Sequence, residues 1–219
     1  MPVVNCEVVR VMAKSNKQWL REHHTDLYVK QAQRQGFRSR AAYKLLALHE
    51  KDRLFARGQS VLDLGAAPGA WSQVARQLVG LQGTIFAADI LPIDSIQGVT
   101  FIQGDLCQEA TLSRLYDEIS PNSVDLVISD IAPNLSGIVA VDQARMIFLV
   151  ELALNIAETL LKPKANFLVK CFQGTGFESY LKTLRRLFKQ VVIRKPPASR
   201  ARSSEVYLVA KHYQAKVVG

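Results

Sequence analysis

From Ser60 onward the apolar positions fall into short runs that end in an acidic residue or a glycine: Val61-Leu62-Asp63-Leu64-Gly65, residues 84–89 and residues 99–105. Runs of this length suit parallel strands buried on both faces. Two more strands are expected over residues 124–129 and 166–172, with helices over 71–79, 111–119, 144–161 and 177–188. Such alternation specifies a doubly wound α/β sheet with helices on both faces and ligands at the carboxyl ends of its strands. Val191-Val192-Ile193 and residues 206–210 have no helix between them. They are expected to pair as an antiparallel hairpin at one edge, completing a mostly parallel, Rossmann-like sheet of seven strands.

Ahead of the sheet, residues 40–49 place Ala41, Leu45 and Leu48 on one helical stripe with Lys44 beside it, an amphipathic helix. The expected organisation is a basic extension over residues 1–38, one domain over 39–212 and a short tail over 213–219. A chain of 219 residues with 48% hydrophobic and 21% charged side chains fills one domain with a full core. The longest apolar stretches, such as residues 146–154, are broken by charge and too short for a bilayer, and residues 1–10 lack the features of a secretory signal. Cys6, Cys107 and Cys171 show no paired or metal-ligating spacing. A cytoplasmic protein with incidental thiols, no metal site and a monomeric state is the expectation.

Charge changes the picture. The net +9 (28 Lys and Arg against 19 Asp and Glu) is segregated. Residues 1–44 carry nine basic and three acidic side chains, +6, and residues 182–202 carry eight basic and no acidic ones, +8, leaving −5 for the remainder. Two basic segments around an acidic centre suit a polyanion gripped beside a differently occupied pocket, so nucleic acid is the expected partner. The early helix and residues 182–202 are expected to form one basic groove.

The turn Asp63-Leu64-Gly65-Ala66-Ala67-Pro68-Gly69-Ala70-Trp71-Ser72 lies between the first strand and its helix. Its small residues let a ligand approach the backbone, and the helix start offers free amides. Pro68 lacks the N–H donor that a pyrophosphate would use, which favours a ligand without phosphates. S-adenosylmethionine fits. Asp89 closes the second strand, where it can accept both ribose hydroxyls of an adenosine, and Asp105 closes the third, where it can take the adenine amino group. Each aspartate alone also reads as a cap or turn former.

Asp130 ends the fourth strand in Ser129-Asp130-Ile131-Ala132-Pro133-Asn134, and Lys170 ends the otherwise apolar fifth, Phe167-Leu168-Val169-Lys170-Cys171-Phe172. Glu205 opens the last strand beside Ser199-Arg200-Ala201-Arg202. With Lys44 these match, in order and context, the Lys-Asp-Lys-Glu tetrad of ribose 2'-O-methyltransferases. The chain closely resembles the FtsJ/RlmE family of ribosomal RNA large-subunit methyltransferases. Supporting segments are residues 36–44, 63–71, 132–137 and 170–174, with Arg194-Lys195-Pro196-Pro197 leading into 199–205, so the match spans residues 18–211. One departure is Ala70, where the family usually has a second glycine.

The resemblance implies a methyltransferase sheet. It also implies S-adenosylmethionine held by Gly69, Trp71, Asp89, Asp105 and Asp130, and 2'-O-methylation of a uridine in large-subunit ribosomal RNA on the assembling or assembled ribosomal subunit. Lys170 is expected to be the base, with Asp130 orienting it and Lys44 and Glu205 positioning substrate and tuning charge. An unperturbed lysine is neutral in roughly one molecule in a thousand at physiological pH, a penalty of about 4 kcal/mol. Other readings fare worse. An amino-group methyltransferase usually shows a double proline and an aromatic after strand four. A cytosine C5 enzyme needs a cysteine nucleophile, yet Cys171 would face away from Lys170. A bare RNA-binding module leaves the tetrad to coincidence, and Pro68 disfavours a nicotinamide oxidoreductase.

Overall fold

The computed structural model describes residues 26–200 and 203–215. Cys6, most of the basic extension, Ala201, Arg202 and residues 216–219 of the tail lie outside them. Chain order is α1 (Leu27–Arg34), α2 (Ala41–Asp52), β1 (Ser60–Leu64), α3 (Ala70–Val79), β2 (Thr84–Asp89), β3 (Val99–Gln103), α4 (Glu109–Glu118), β4 (Val124–Ser129), α5 (Val139–Leu160), β5 (Leu161–Phe172), α6 (Phe177–Leu187), β6 (Phe188–Arg194) and β7 (Glu205–Tyr213). The seven strands form one sheet in the order β3-β2-β1-β4-β5-β7-β6. Strands β1 to β5 pair in parallel, and β7 pairs antiparallel with both β5 and β6. The late hairpin thus forms one edge, with β7 inside it and β6 outermost.

Alternation along each strand sorts the core into two layers. Leu62 and Leu64 of β1 join a cluster with Leu115 of α4, Val150 and Leu154 of α5, and Tyr180 and Leu184 of α6. Val61, one residue out of step, joins Leu45 and Leu48 of α2, Trp71 and Val74 of α3, Ile128, Leu168 and Tyr207. Each fully buried Leu, Ile or Val contributes about 1.5–3 kcal/mol. On the second layer Arg194 makes a two-pronged ion pair with Asp52, Nε to Oδ2 at 2.9 Å and Nη2 to Oδ1 at 2.8 Å, and Lys211 donates to the Asp52 carbonyl. These contacts fix the end of α2 on β6 and β7.

Several elements differ from the sequence expectation. Helix α1 falls within the extension; it buries only Val29 and Ala32, too thin a stripe to stand out, and Asp26 caps it by accepting from the Tyr28 amide at 2.9 Å. Strand β5 starts at Leu161, directly after α5, although Pro163 and two lysines follow; Leu161 pairs with Val124, a register shift lies before Leu126, and Lys164 has φ +69°. Strand β7 runs through Tyr213, which is buried against Phe188, so the residue expected to open the tail belongs to the sheet. No helix among the described residues is long and apolar enough to cross a membrane.

Candidate active site

The carboxyl ends of β1, β2 and β3 form one half of the site. The turn after β1 needs glycine twice: Gly65 at φ +76° and Gly69 at φ +104°. A Cβ on Gly65 would stand 2.7 Å from the Ile131 Cα, so this turn lies directly against the segment that follows Asp130. Asp89 Oδ2 accepts from the Ala67 amide and Oδ1 from the Leu91 amide, both at 2.8 Å. Asp105 stands two residues beyond the end of β3, where its Oδ1 accepts from the Cys107 amide at 2.9 Å, and the Gly104 amide donates to the Asp89 carbonyl at 2.9 Å. Both aspartates therefore shape their own turns, and each carboxylate oxygen keeps further acceptor capacity for a ligand.

Trp71 is placed differently from a pocket-lining indole. Its ring is 2% exposed, packs 5.8 Å from the Tyr207 ring and donates Nε1–H to the Ala41 carbonyl at 2.8 Å. What it presents to the turn is backbone in the first turn of α3, where helix amides lack intrahelical partners. Ala70, the departure from the family pattern, opens α3 without a positive φ, so its methyl is accommodated in the buried layer.

Beneath the turn Asp63 is fully buried; Ser72 Oγ donates to its Oδ2 at 2.6 Å, and Oδ1 has no hydrogen-bond partner. Burial, with lesser contributions from the charges of Asp130 and Asp89, pushes its carboxyl up to about 7 against the Ser72 hydrogen bond. An orphaned buried carboxylate beside the turn fits a ligand that carries positive charge, as S-adenosylmethionine does.

The other half is formed by α2 and the ends of β4, β5 and β7. Period-two alternation brings its residues together. Asp130 shares a side with Ile128, Lys170 with Leu168, and Glu205 with Tyr207 and Val209, all on the layer covered by α2, which supplies Lys44. Lys170 Nζ lies 3.1 Å from Asp130 Oδ1 and also donates to the Asp130 carbonyl. Lys44 Nζ donates to Glu205 Oε1 at 2.7 Å, and Ser199 Oγ donates to the same oxygen at 3.0 Å. The four residues singled out from the sequence thus meet as two ion pairs.

Tyr207 joins them, and sequence reasoning missed it. Its ring is fully buried, and its hydroxyl lies 2.8 Å from Asp130 Oδ1 and 3.3 Å from Glu205 Oε1. Burial first, then the charges of Asp130 and Glu205, hold the phenol well above its ordinary value, so it keeps its proton and donates. Lys44 Nζ sits 5.6 Å from the centre of the same ring. The sequence signal was there only as a tyrosine two residues after Glu205 on one strand face. Cys171, by contrast, lies in the opposite core layer, and burial pushes its thiol up to about 12. It cannot serve here as a nucleophile.

The expected single basic groove needs correction. Helix α6, which carries Lys182, Arg185 and Arg186, packs on the sheet layer opposite α2. Of the later basic segment, Arg194 at the end of β6 and the residues after it lie beside α2: Arg194 pairs with Asp52, and Arg40 pairs with Asp26 and donates to the Ala198 carbonyl. Contiguity in sequence had stood in for contiguity in space, and the sheet separates the two sets.

A family model described as FtsJ-like methyltransferase matches residues 37–213. The chain is similar to "Ribosomal RNA large subunit methyltransferase E" of Cellvibrio japonicus, 54% identical over 201 residues, which covers 92% of this chain and 95% of the relative. The protein of the same name from Alcanivorax borkumensis is 56% identical over 195 residues, 89% of this chain and 94% of the relative. Among solved structures, a chain described as a ribosomal RNA methyltransferase from Plasmodium falciparum superposes with a TM-score of 0.74 at 26% identity, covering 82% of this chain and all of that one. The family model and these relatives show that the chain belongs to the FtsJ-like methyltransferase family.

Proposed function

We propose that this protein methylates the 2'-hydroxyl of a uridine ribose in large-subunit ribosomal RNA, with S-adenosylmethionine as donor and the assembling or assembled subunit as substrate. The observation that carries this reading is the meeting of Lys170 and Asp130 with Lys44 and Glu205 through Tyr207, next to the turn after β1. The names of the relatives support the substrate class.

When bound, the cofactor supplies an electrophilic methyl group on a sulfonium. Gly69, Trp71 through its backbone, Asp89, Asp105 and Asp130 would line its site, with Asp63 below contributing negative charge. The protein must then align the acceptor hydroxyl and take its proton. To act as the base Lys170 must first release a proton from its ammonium to solvent, and the neutral amine then has two N–H donors and one lone pair. Asp130 offers Lys170 two acceptors, its carbonyl and Oδ1, which leaves the lone pair for the hydroxyl proton. Lys44, held by Glu205, places a positive charge near the acceptor ribose. Tyr207 fixes the separation of the two pairs.

The test is methyl transfer from labelled S-adenosylmethionine to large ribosomal subunits lacking the modification, comparing the intact protein with Lys170→Ala and mapping the product by ribose methylation. Label at one ribose that vanishes in the variant supports base and substrate class together. Label on a nucleobase, or full activity without Lys170, overturns the mechanism while leaving the family in place.

A further inference from the structure

We propose that Arg38 is a positioning residue of the cofactor half: its guanidinium clasps the loop after β2 to the turn after β1 and so holds the two walls of that pocket together. The inference rests on the cofactor reading given above. Arg38 lies in the basic segment Gly36-Phe37-Arg38-Ser39-Arg40, where an arginine is expected to face phosphate. Its donors are instead engaged by main-chain carbonyls. Nη1 donates to Pro68 O at 3.1 Å and to Asp94 O at 2.7 Å, and Nη2 donates to Ser95 O at 3.0 Å. The root of the side chain is fixed as well: the Arg38 amide donates to Gln73 Oε1 at 2.9 Å, and Gln73 Nε2 donates to Gly36 O at 3.2 Å, tying the segment to α3.

The loop over residues 90–98 gives these bonds their importance. It contains no helix or strand, most of its residues are exposed, and Leu91 points outward at 60% exposure, so core burial does not hold it. It begins immediately after Asp89, the candidate ribose acceptor, whose Oδ1 holds the Leu91 amide. At the middle of the loop, Arg38 takes the Asp94 and Ser95 carbonyls. Gly69 completes the joint. A Cβ there would stand 2.7 Å from Arg38 Nη1 and 3.0 Å from Ile96 Cδ1, so the bare glycine leaves the space that the guanidinium and Ile96 occupy. A planar fork can hold carbonyls from two segments at fixed angles, which a single ammonium on a flexible stem cannot reproduce.

The experiment measures S-adenosylmethionine binding by calorimetry, without RNA, for the full-length protein and for Arg38→Lys and Arg38→Ala. Amide exchange over residues 90–98 is recorded on the ligand-free samples, and thermal unfolding establishes that each variant is folded. Both variants are expected to bind about tenfold more weakly, equivalent to about 1.4 kcal/mol. Lysine should not rescue the loss, and exchange in the loop should quicken. If alanine prevents folding, the lysine variant carries the test alone. Wild-type affinity and exchange in Arg38→Lys, with a loss only in RNA binding, would overturn the clasp and return Arg38 to phosphate contact. No binding by the wild-type protein would overturn the cofactor reading instead, and the exchange comparison would still decide whether Arg38 holds the loop.

Discussion

The two halves of the site are held together by different kinds of bond. At the ends of β1, β2 and β3 charged side chains are matched with groups of the main chain: Asp89 with the Ala67 and Leu91 amides, Asp105 with the Cys107 amide, and Arg38 with three carbonyls. At the ends of β4, β5 and β7 each carboxylate faces an ammonium, and one phenol lies between the pairs. The first construction fixes shape, as recognition of a constant ligand requires. The second holds exchangeable charge and protons, as chemistry on a hydroxyl requires. Substitutions in the first half should therefore act on binding, and in the second on turnover.

The largest effect that separates them is expected for Lys170→Met, which removes the amine while keeping an unbranched chain: turnover should fall by about a thousandfold or more, with cofactor affinity unchanged, read by single-turnover kinetics and calorimetry. An equal loss in both would erase the distinction. Next is Asp89→Ala, which deletes the proposed ribose acceptor together with the props of two amides; cofactor binding should weaken by about 30- to 100-fold, as loss of charge-assisted hydrogen bonds implies. Tyr207→Phe keeps the buried ring and removes only its hydroxyl, so turnover should drop about tenfold while cofactor affinity stays put.

A separate effect, on stability rather than on either half's ligand, runs through Asp63. Its carboxyl is raised in the folded protein to about 7, above its unfolded value of 3.8, so folding takes up a proton between those limits and stability falls as pH rises from about 4 to about 7. Asp63→Asn lacks this loss. Its advantage in thermal unfolding of the ligand-free protein should grow across that window, by up to about 1.4 kcal/mol per pH unit, and level off above it. Added S-adenosylmethionine should shrink the advantage, because a cationic ligand offsets the buried charge. An advantage independent of pH would mean that Asp63 is ionised throughout.

How much of this was legible in the sequence follows from what one dimension can carry. The parallel strands were readable because burial on both faces leaves unbroken apolar runs, and alternation correctly sent Cys171 away from Lys170. Lys44, Asp130, Lys170 and Glu205 were readable as a set only through the resemblance, and the fold then brought them together. Tyr207 was not, since a tyrosine inside an apolar strand looks like core, which its ring is. Arg38 was only one charge among the nine basic side chains of residues 1–44, because a sequence displays charge but not what the donors already hold. The basic groove failed for a related reason: Lys182, Arg185 and Arg186 lie on α6, which packs on the sheet layer opposite α2.

Strand β7 has a consequence for how the protein is made. It is the last strand in chain order, yet it lies between β5 and β6. During translation both neighbours emerge with open edges before the strand that joins them exists, and open edges invite pairing with other chains. Glu205 and Tyr207 arrive with that same strand, Glu205 161 residues after Lys44. A ribosome must therefore translate past Glu205 and Tyr207 before this half of the site can close.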